Sequence, residues 1–130
     1  MKKFIVVILF GVCLLGLLYM RGLNIVRKSM PNDTLIVFFQ KDCPHCHAAM
    51  TFIDETVRSK YPDLKIEFLD VDKRENMLKL SVVSKQHNLG SRIGTPIWVL
   101  NGKASMGWSS KSEKTLLSLI KSLPKKNLDK

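Results

Sequence analysis

Apolar and polar positions follow one another along this chain in patterns whose period changes several times. From Phe4 to Met20 there are seventeen residues with no charge, rich in Phe, Ile, Val and Leu, bounded by Lys2-Lys3 and Arg21. A helix in a soluble core needs a polar side, and this run has none, so it reads as a targeting segment. Its length is short for a membrane span and long for the apolar region of a signal peptide, and both readings stand. No alanine precedes Ala48, and Gly11, Gly16 and Gly22 substitute poorly at a cleavage site, which favours an uncleaved anchor. Cys13 follows the bulky Val12, which argues against lipoprotein processing and for a buried apolar thiol. Basic residues flank the run on both sides, and export of the carboxy-terminal part is the orientation expected. Residues 21–33 have no period and end in the breaker cluster Met30-Pro31-Asn32-Asp33, so they read as a tether that spans about 45 Å when extended.

Beyond the tether the patterns are those of a folded domain, expected over residues 34–124 with a short tail at 125–130. Leu35-Ile36-Val37-Phe38-Phe39 is a continuous branched and aromatic run, as in a strand buried on both faces. Asp42-Cys43-Pro44 breaks it, and Ala49, Phe52, Ile53, Thr56 and Val57 then recur at the spacing of a helix with one buried stripe. Leu64, Ile66 and Phe68 alternate with Lys65 and Glu67 and run on through Leu69-Asp70-Val71, predicting a parallel partner strand. Met77, Leu78, Leu80, Val82, Val83 and His87 predict a second helix ended by Asn88-Leu89-Gly90. Ile97 to Leu100, Asn101-Gly102 and Lys103 to Met106 form a hairpin signal, because a type I′ turn needs positive φ at both central residues. Ser110-x-x-Glu113 has the spacing of a capping box and leads into Leu116, Leu119, Ile120 and Leu123 before Pro124. The order β-α-β, α, β-β-α predicts an α/β fold with a four-stranded mixed sheet flanked by helices.

Cys43-Pro44-His45-Cys46 falls at the join between the first strand and the first helix, which sets Cys43 near the helix N-terminus and Cys46 about one turn further in. Unpaired N–H groups and the helix dipole favour a negative charge there, and a protonated His45 adds to it, so the thiol is expected in the range of about 3.5 to 7.5. Cys43 would then attack, and Cys46 would resolve the mixed disulfide. Asp42 opposes this as a like charge, with Lys41 as its expected compensation.

The strand, Cys-Pro-His-Cys, helix arrangement, followed by Gly94-Thr95-Pro96 ahead of another strand, resembles the thioredoxin superfamily over residues 34–123. The Pro44-His45 pair is similar to that of Dsb-type disulfide oxidases and of thioredoxin domains that accompany vitamin K epoxide reductase homologues. The small size is more similar to glutaredoxin. The resemblance implies a thioredoxin-like fold, a cis Pro96 beside the disulfide, and a Thr95 backbone that pairs with substrate. It implies a thiol-disulfide oxidoreductase with a lean to oxidation, acting on protein thiols or disulfides and needing no cofactor beyond the Cys43–Cys46 disulfide. A glutathione-dependent reductase is the alternative within the class. The stretch from Val71 to Gly90 has no room for the helical insertion of the Dsb oxidases, and the acidic pair with which glutaredoxins hold glutathione is absent near Gly107-Trp108-Ser109-Ser110.

Charge and composition then narrow the partners. The chain has 130 residues and a formal charge of +10, but Lys2, Lys3, Arg21, Arg27 and Lys28 supply half of it. The remaining excess is spread among acids rather than gathered in a stripe, which argues against nucleic acid. Export would suit an oxidising compartment such as a bacterial periplasm, since the exported domain has no third cysteine to mispair, and a membrane redox partner is implied. Cys43-Pro44-His45-Cys46-His47 also satisfies the attachment motif of c-type haem, with His47 as axial ligand. Zinc would need two more ligands, with His87 distant in sequence and no second cysteine pair, and copper could use Cys43, Cys46 and Met50. His47 otherwise reads as a solvent-facing residue, and Trp98 and Trp108 as packing residues.

Overall fold

In the computed structural model, which describes residues 1–25 and 30–124, the apolar run after the tether becomes β1 (Thr34–Phe39), buried from Thr34 to Phe38. It is followed by α2 (Pro44–Phe52), a π-helical stretch (Ile53–Val57) and a last turn, α3 (Arg58–Lys60). Next come β2 (Lys65–Asp70), α4 (Arg74–Gln86), β3 (Ile97–Leu100), β4 (Lys103–Met106) and α5 (Ser110–Lys121). The four strands form one sheet in the order β2-β1-β3-β4. β1 runs parallel to β2 and antiparallel to β3, and β3 pairs antiparallel with β4. This mixed sheet with its flanking helices is a thioredoxin-like fold, as the sequence predicts.

Alternation along the central strands distributes the core to both faces of the sheet. Leu35 and Val37 of β1 and Trp98 and Leu100 of β3 join Ile53, Val57, Leu116 and Ile120 in one buried cluster, so the π-helical stretch after α2 and the last helix, α5, share a face. Ile36, Phe38, Ile97 and Val99 point the other way and are also buried. The cover available there is α4, whose Leu80 and Val83 are buried outside the first cluster. Its apolar stripe is narrower than the sequence suggests, because Met77, Leu78 and Val82 are exposed. The π-helical stretch was not foreseen. It fits the four-residue spacing of the buried Ala49, Ile53 and Val57, since a wider turn keeps such residues in line.

Local chemistry sets the ends of these elements. Asn101 and Gly102 have φ of 49° and 67°, the left-handed pair that a two-residue hairpin turn requires. α5 starts one position earlier than its capping box suggests. Ser109, not Ser110, is the cap, accepting the N–H of Ser112 at 3.4 Å. Ser109 is extended and lies outside the helix, as a capping side chain must.

The residues divide into two compact units, Met1–Met30 and Pro31–Lys130. In the first, α1 (Lys2–Ile25) continues past Arg21 into the stretch expected as tether. Residues 26–29 of that tether and the tail at 125–130 lie outside the described residues. Ile5 to Phe10, Val12, Leu14, Leu15 and Leu17 are each more than half exposed. Cys13, expected as a buried thiol, is free and exposed, because a single helix has no interior in which to bury it. Among the described residues no helix is long and apolar enough to cross a membrane.

Leu116 is fully buried between α5 and the sheet cluster. Leu116→Ala is expected to cost about 2–5 kcal/mol in urea unfolding of the full chain. Ser109→Ala is expected to cost about 1 kcal/mol. An unchanged urea midpoint for Leu116→Ala would contradict this packing.

Candidate active site

β1 ends at Phe39, and Gln40-Lys41-Asp42 carry the chain across the sheet edge to Cys43, the N-cap of α2. Cys43 is extended (φ −102°, ψ 109°), and Pro44 occupies the first helical turn, where its missing N–H costs no hydrogen bond. The backbone N–H of Cys46 points at Cys43 Sγ at 3.2 Å. It is one of the first-turn helix donors, and it is shared between the Cys43 carbonyl oxygen at 3.0 Å and this sulfur, which sits where a capping oxygen would. Cys43 and Cys46 are joined as a disulfide, with Cα atoms 5.2 Å apart. Cys43 is half-buried and Cys46 fully buried, so an incoming sulfur meets Cys43 first.

Sheet order brings the second part of the site alongside. Because β3 lies next to β1, with Phe38 opposite Ile97, the residues just before β3 arrive beside the cysteines. The Thr95–Pro96 peptide bond is cis, and the Thr95 carbonyl oxygen lies 3.5 Å from Cys43 Sγ. In the reduced protein the Cys43 thiol can donate to it. Thr95 Oγ1 donates to Gln40 Oε1 at 3.2 Å, tying this loop to the segment before Cys43. The Pro96 carbonyl accepts the N–H of Gly107 at 2.8 Å, and Gly94 N–H faces the Met106 sulfur at 3.3 Å. Gly107 has φ of 85°, a conformation that suits glycine.

The expected charge arrangement needs one correction. Lys41 does not serve as the counterion of Asp42. Its ammonium lies 3.5 Å from Asp70 Oδ2, at the end of β2, and Asp70 is almost fully buried. A buried carboxylate attracts a cation more strongly than the exposed Asp42, because its charge has lost more water. His45 is exposed in the first turn of α2. His47 is exposed, as expected, but its Nε2 lies 2.7 Å from the Lys41 carbonyl oxygen and donates to it.

These contacts bear on the rival chemistries. In the disulfide form both sulfurs are bonded to each other, and the Nε2 of His47 is engaged with the Lys41 carbonyl. Among the described residues no three His, Cys, Asp or Glu side chains gather as a metal site, and His87 does not join the cysteines. Trp98 is buried in the sheet, and Trp108 packs against Phe52 with ring centroids 5.7 Å apart, so both are packing residues. The contacts of Gln40, Asp70 and Met106 were not foreseen. Asp70 had a signal, an acid closing an apolar strand; Gln40 and Met106 had none.

The mixed sheet, with the Cys43–Cys46 disulfide at the start of the helix that follows its central strand, is the arrangement of a thioredoxin-like fold. No protein-family model matches the chain, and no curated protein does. Among solved structures it is similar to the glutaredoxin grx-1 from Archaeoglobus fulgidus, with 22% identity over 69% of this chain and 88% of that one and a TM-score of 0.46.

Thiol counting tests the pairing. Denatured without reductant, the protein is expected to show one reactive thiol, Cys13, and after reduction three. Brief alkylation of the reduced, folded protein should label Cys43 ahead of Cys46, as read by peptide mass. Equal labelling would contradict the burial of Cys46.

Proposed function

We propose that this protein is a thiol-disulfide oxidoreductase that exchanges disulfides with exported proteins, working in the oxidising direction. The observation that carries the reading is the Cys43–Cys46 disulfide, its outer sulfur reachable at a helix N-terminus and its inner sulfur buried. A substrate thiolate attacks Cys43 Sγ, forming an intermolecular disulfide and expelling Cys46 as a thiolate, which takes up the proton the substrate thiol released to water. A second substrate thiolate then attacks the substrate's own sulfur in that bond. It leaves with a disulfide, and Cys43 departs as the thiolate that the helix end favours. Two electrons pass from substrate to the cysteine pair, and a membrane-bound oxidant returns it to the disulfide. Run backwards, the same steps reduce a substrate disulfide.

The apolar segment from Phe4 to Met20 supports placing the domain on the exported side of a membrane, as an anchor or, after cleavage, as a secreted protein. Thr95 and Pro96 are assigned to the substrate face, because the Thr95 carbonyl lies beside the attacked sulfur. His45 is assigned to tune the thiolate. Substrates are protein dithiols, since the acidic pair with which glutaredoxins hold glutathione is absent near Gly107-Trp108-Ser109-Ser110.

With Cys13 replaced by Ser in both, Cys46→Ser is expected to accumulate adducts with exported proteins that dithiothreitol dissolves, while Cys43→Ser accumulates none. Wild-type protein should exchange disulfides with insulin and glutathione. Failure of the wild type in both exchanges, or a Soret band from covalent haem in protein from its own host, overturns the reading.

A further inference from the structure

Gln40 is the first residue past β1, and two of its groups reach into the site. Its backbone carbonyl accepts the Cys43 N–H at 3.4 Å, closing the turn that leads into α2. Its side-chain Oε1 accepts the Thr95 hydroxyl at 3.2 Å, from a residue 55 positions further along the chain. One residue therefore spans the two halves of the site. On its other side the Thr95 loop is tied to β4 and the residue after it, through Gly94 N–H at 3.3 Å from the Met106 sulfur and the Pro96 carbonyl at 2.8 Å from Gly107 N–H. Thr95 is half-buried, and its carbonyl oxygen stands 3.5 Å from Cys43 Sγ. A carbonyl oxygen offers lone pairs and a partial negative charge. The neutral Cys43 thiol can donate to it, whereas a thiolate has no proton to give and meets a like charge.

We propose that Gln40 is a positioning residue for the redox pair: by accepting the Thr95 hydroxyl it holds the Thr95 carbonyl against Cys43 Sγ, where that carbonyl restrains ionisation of the sulfur. Resting on the function proposed above, this deepens it by naming a side chain that sets how readily Cys43 becomes the nucleophile and the leaving group. Two opposed groups meet at one atom. The Cys46 N–H, 3.2 Å from the sulfur, favours a charge there, and the Thr95 carbonyl, 3.5 Å from it, binds the thiol and disfavours the charge. Loosening Thr95 leaves the first in place and weakens the second, so the Cys43 pKa falls. The ionisable groups around the two loops are Lys41, Asp42, His45 and His47 on the Cys43 side, Arg92 on the Thr95 side, and Asp70 and Asp72 from β2 and the turn after it. The Gln40–Thr95 bond uses none of them, so uncharged substitutions at its two ends leave every charge in place.

The test is a double-mutant cycle in the full chain, read by the pH profile of Cys43 alkylation in the reduced protein and by the urea midpoint. Gln40→Leu removes the acceptor, and Thr95→Val removes the donor while keeping the shape of the side chain. Each should lower the Cys43 midpoint by about 0.3 unit, an approximately twofold rise in its ionisation constant, the size expected of one exposed hydrogen bond. The double variant should shift no further than either single one, because there is one bond to break. Thr95→Ser keeps the hydroxyl and should keep the wild-type midpoint. If Gln40 acted on the sulfur by a route other than Thr95, Gln40→Leu would shift alone or the two shifts would add. A merely structural role would lower the urea midpoint and leave the pH profile unmoved. Any of these results, or a shift upward, overturns the proposal. If Thr95→Val does not fold, Thr95→Ala takes its place in the cycle. Failure of the oxidoreductase reading would appear in the wild type, as exchange with neither insulin nor glutathione, whereas failure of this proposal appears only in the variants.

Discussion

The contact between the Cys46 N–H and Cys43 Sγ, 3.2 Å long, is the interaction on which the site depends. A helix begins with donors that no carbonyl within it can satisfy, and most helices meet them with a serine, threonine or aspartate oxygen. Here a sulfur stands in that place, sharing the Cys46 N–H with the Cys43 carbonyl oxygen at 3.0 Å. The capping requirement and the chemistry therefore select the same atom, since the field that welcomes an acceptor also welcomes a thiolate. Pro44 fits because its position demands no N–H, and Cys46 is carried one turn inward to lie beneath its partner.

Everything around that contact serves to hold the crossing from β1 to α2 in place. The crossing is short, and three ties from different parts of the chain fasten it: Gln40 to Thr95, Lys41 to Asp70, and the Lys41 carbonyl to His47. Each comes from an element placed by the sheet. β3 delivers Thr95, β2 delivers Asp70, and the first turn of α2 delivers His47. The order β2-β1-β3 is thus also the order of the site, with the disulfide after the central strand and Asp70 and Thr95 delivered by the strands to either side. The core below is built from alternating side chains of β1 and β3, which leaves their ends free for chemistry.

Much of this was legible in the residues because each signal had one physical cause. Leu35 to Phe39 could be a doubly buried strand because nothing in it tolerates water, and Asn101-Gly102 could be a tight turn because few pairs accept positive φ twice. Cys43 could be placed at a helix end because Asp42-Cys43-Pro44 breaks the strand and the helical apolar period begins just after it. What escaped were matters of partner choice. Lys41 stands beside Asp42 in sequence yet pairs with Asp70, because burial decides which carboxylate most needs a cation, and burial is a property of the fold. The exposure of Leu78 and Val82 escaped for a similar reason: an apolar residue on a helix shows that it can be buried, not that a neighbour covers it.

The central claim is that the forward sulfur is ionised near neutral pH at a capped helix end. The most direct measurement is the absolute pH profile of Cys43 alkylation in the reduced wild-type protein, with Cys46 and Cys13 followed separately by peptide mass. The account predicts a midpoint well below the value of about 8.5 of an ordinary cysteine, with Cys46 slow throughout. A Cys43 midpoint at or above that value, matching Cys13, would contradict it.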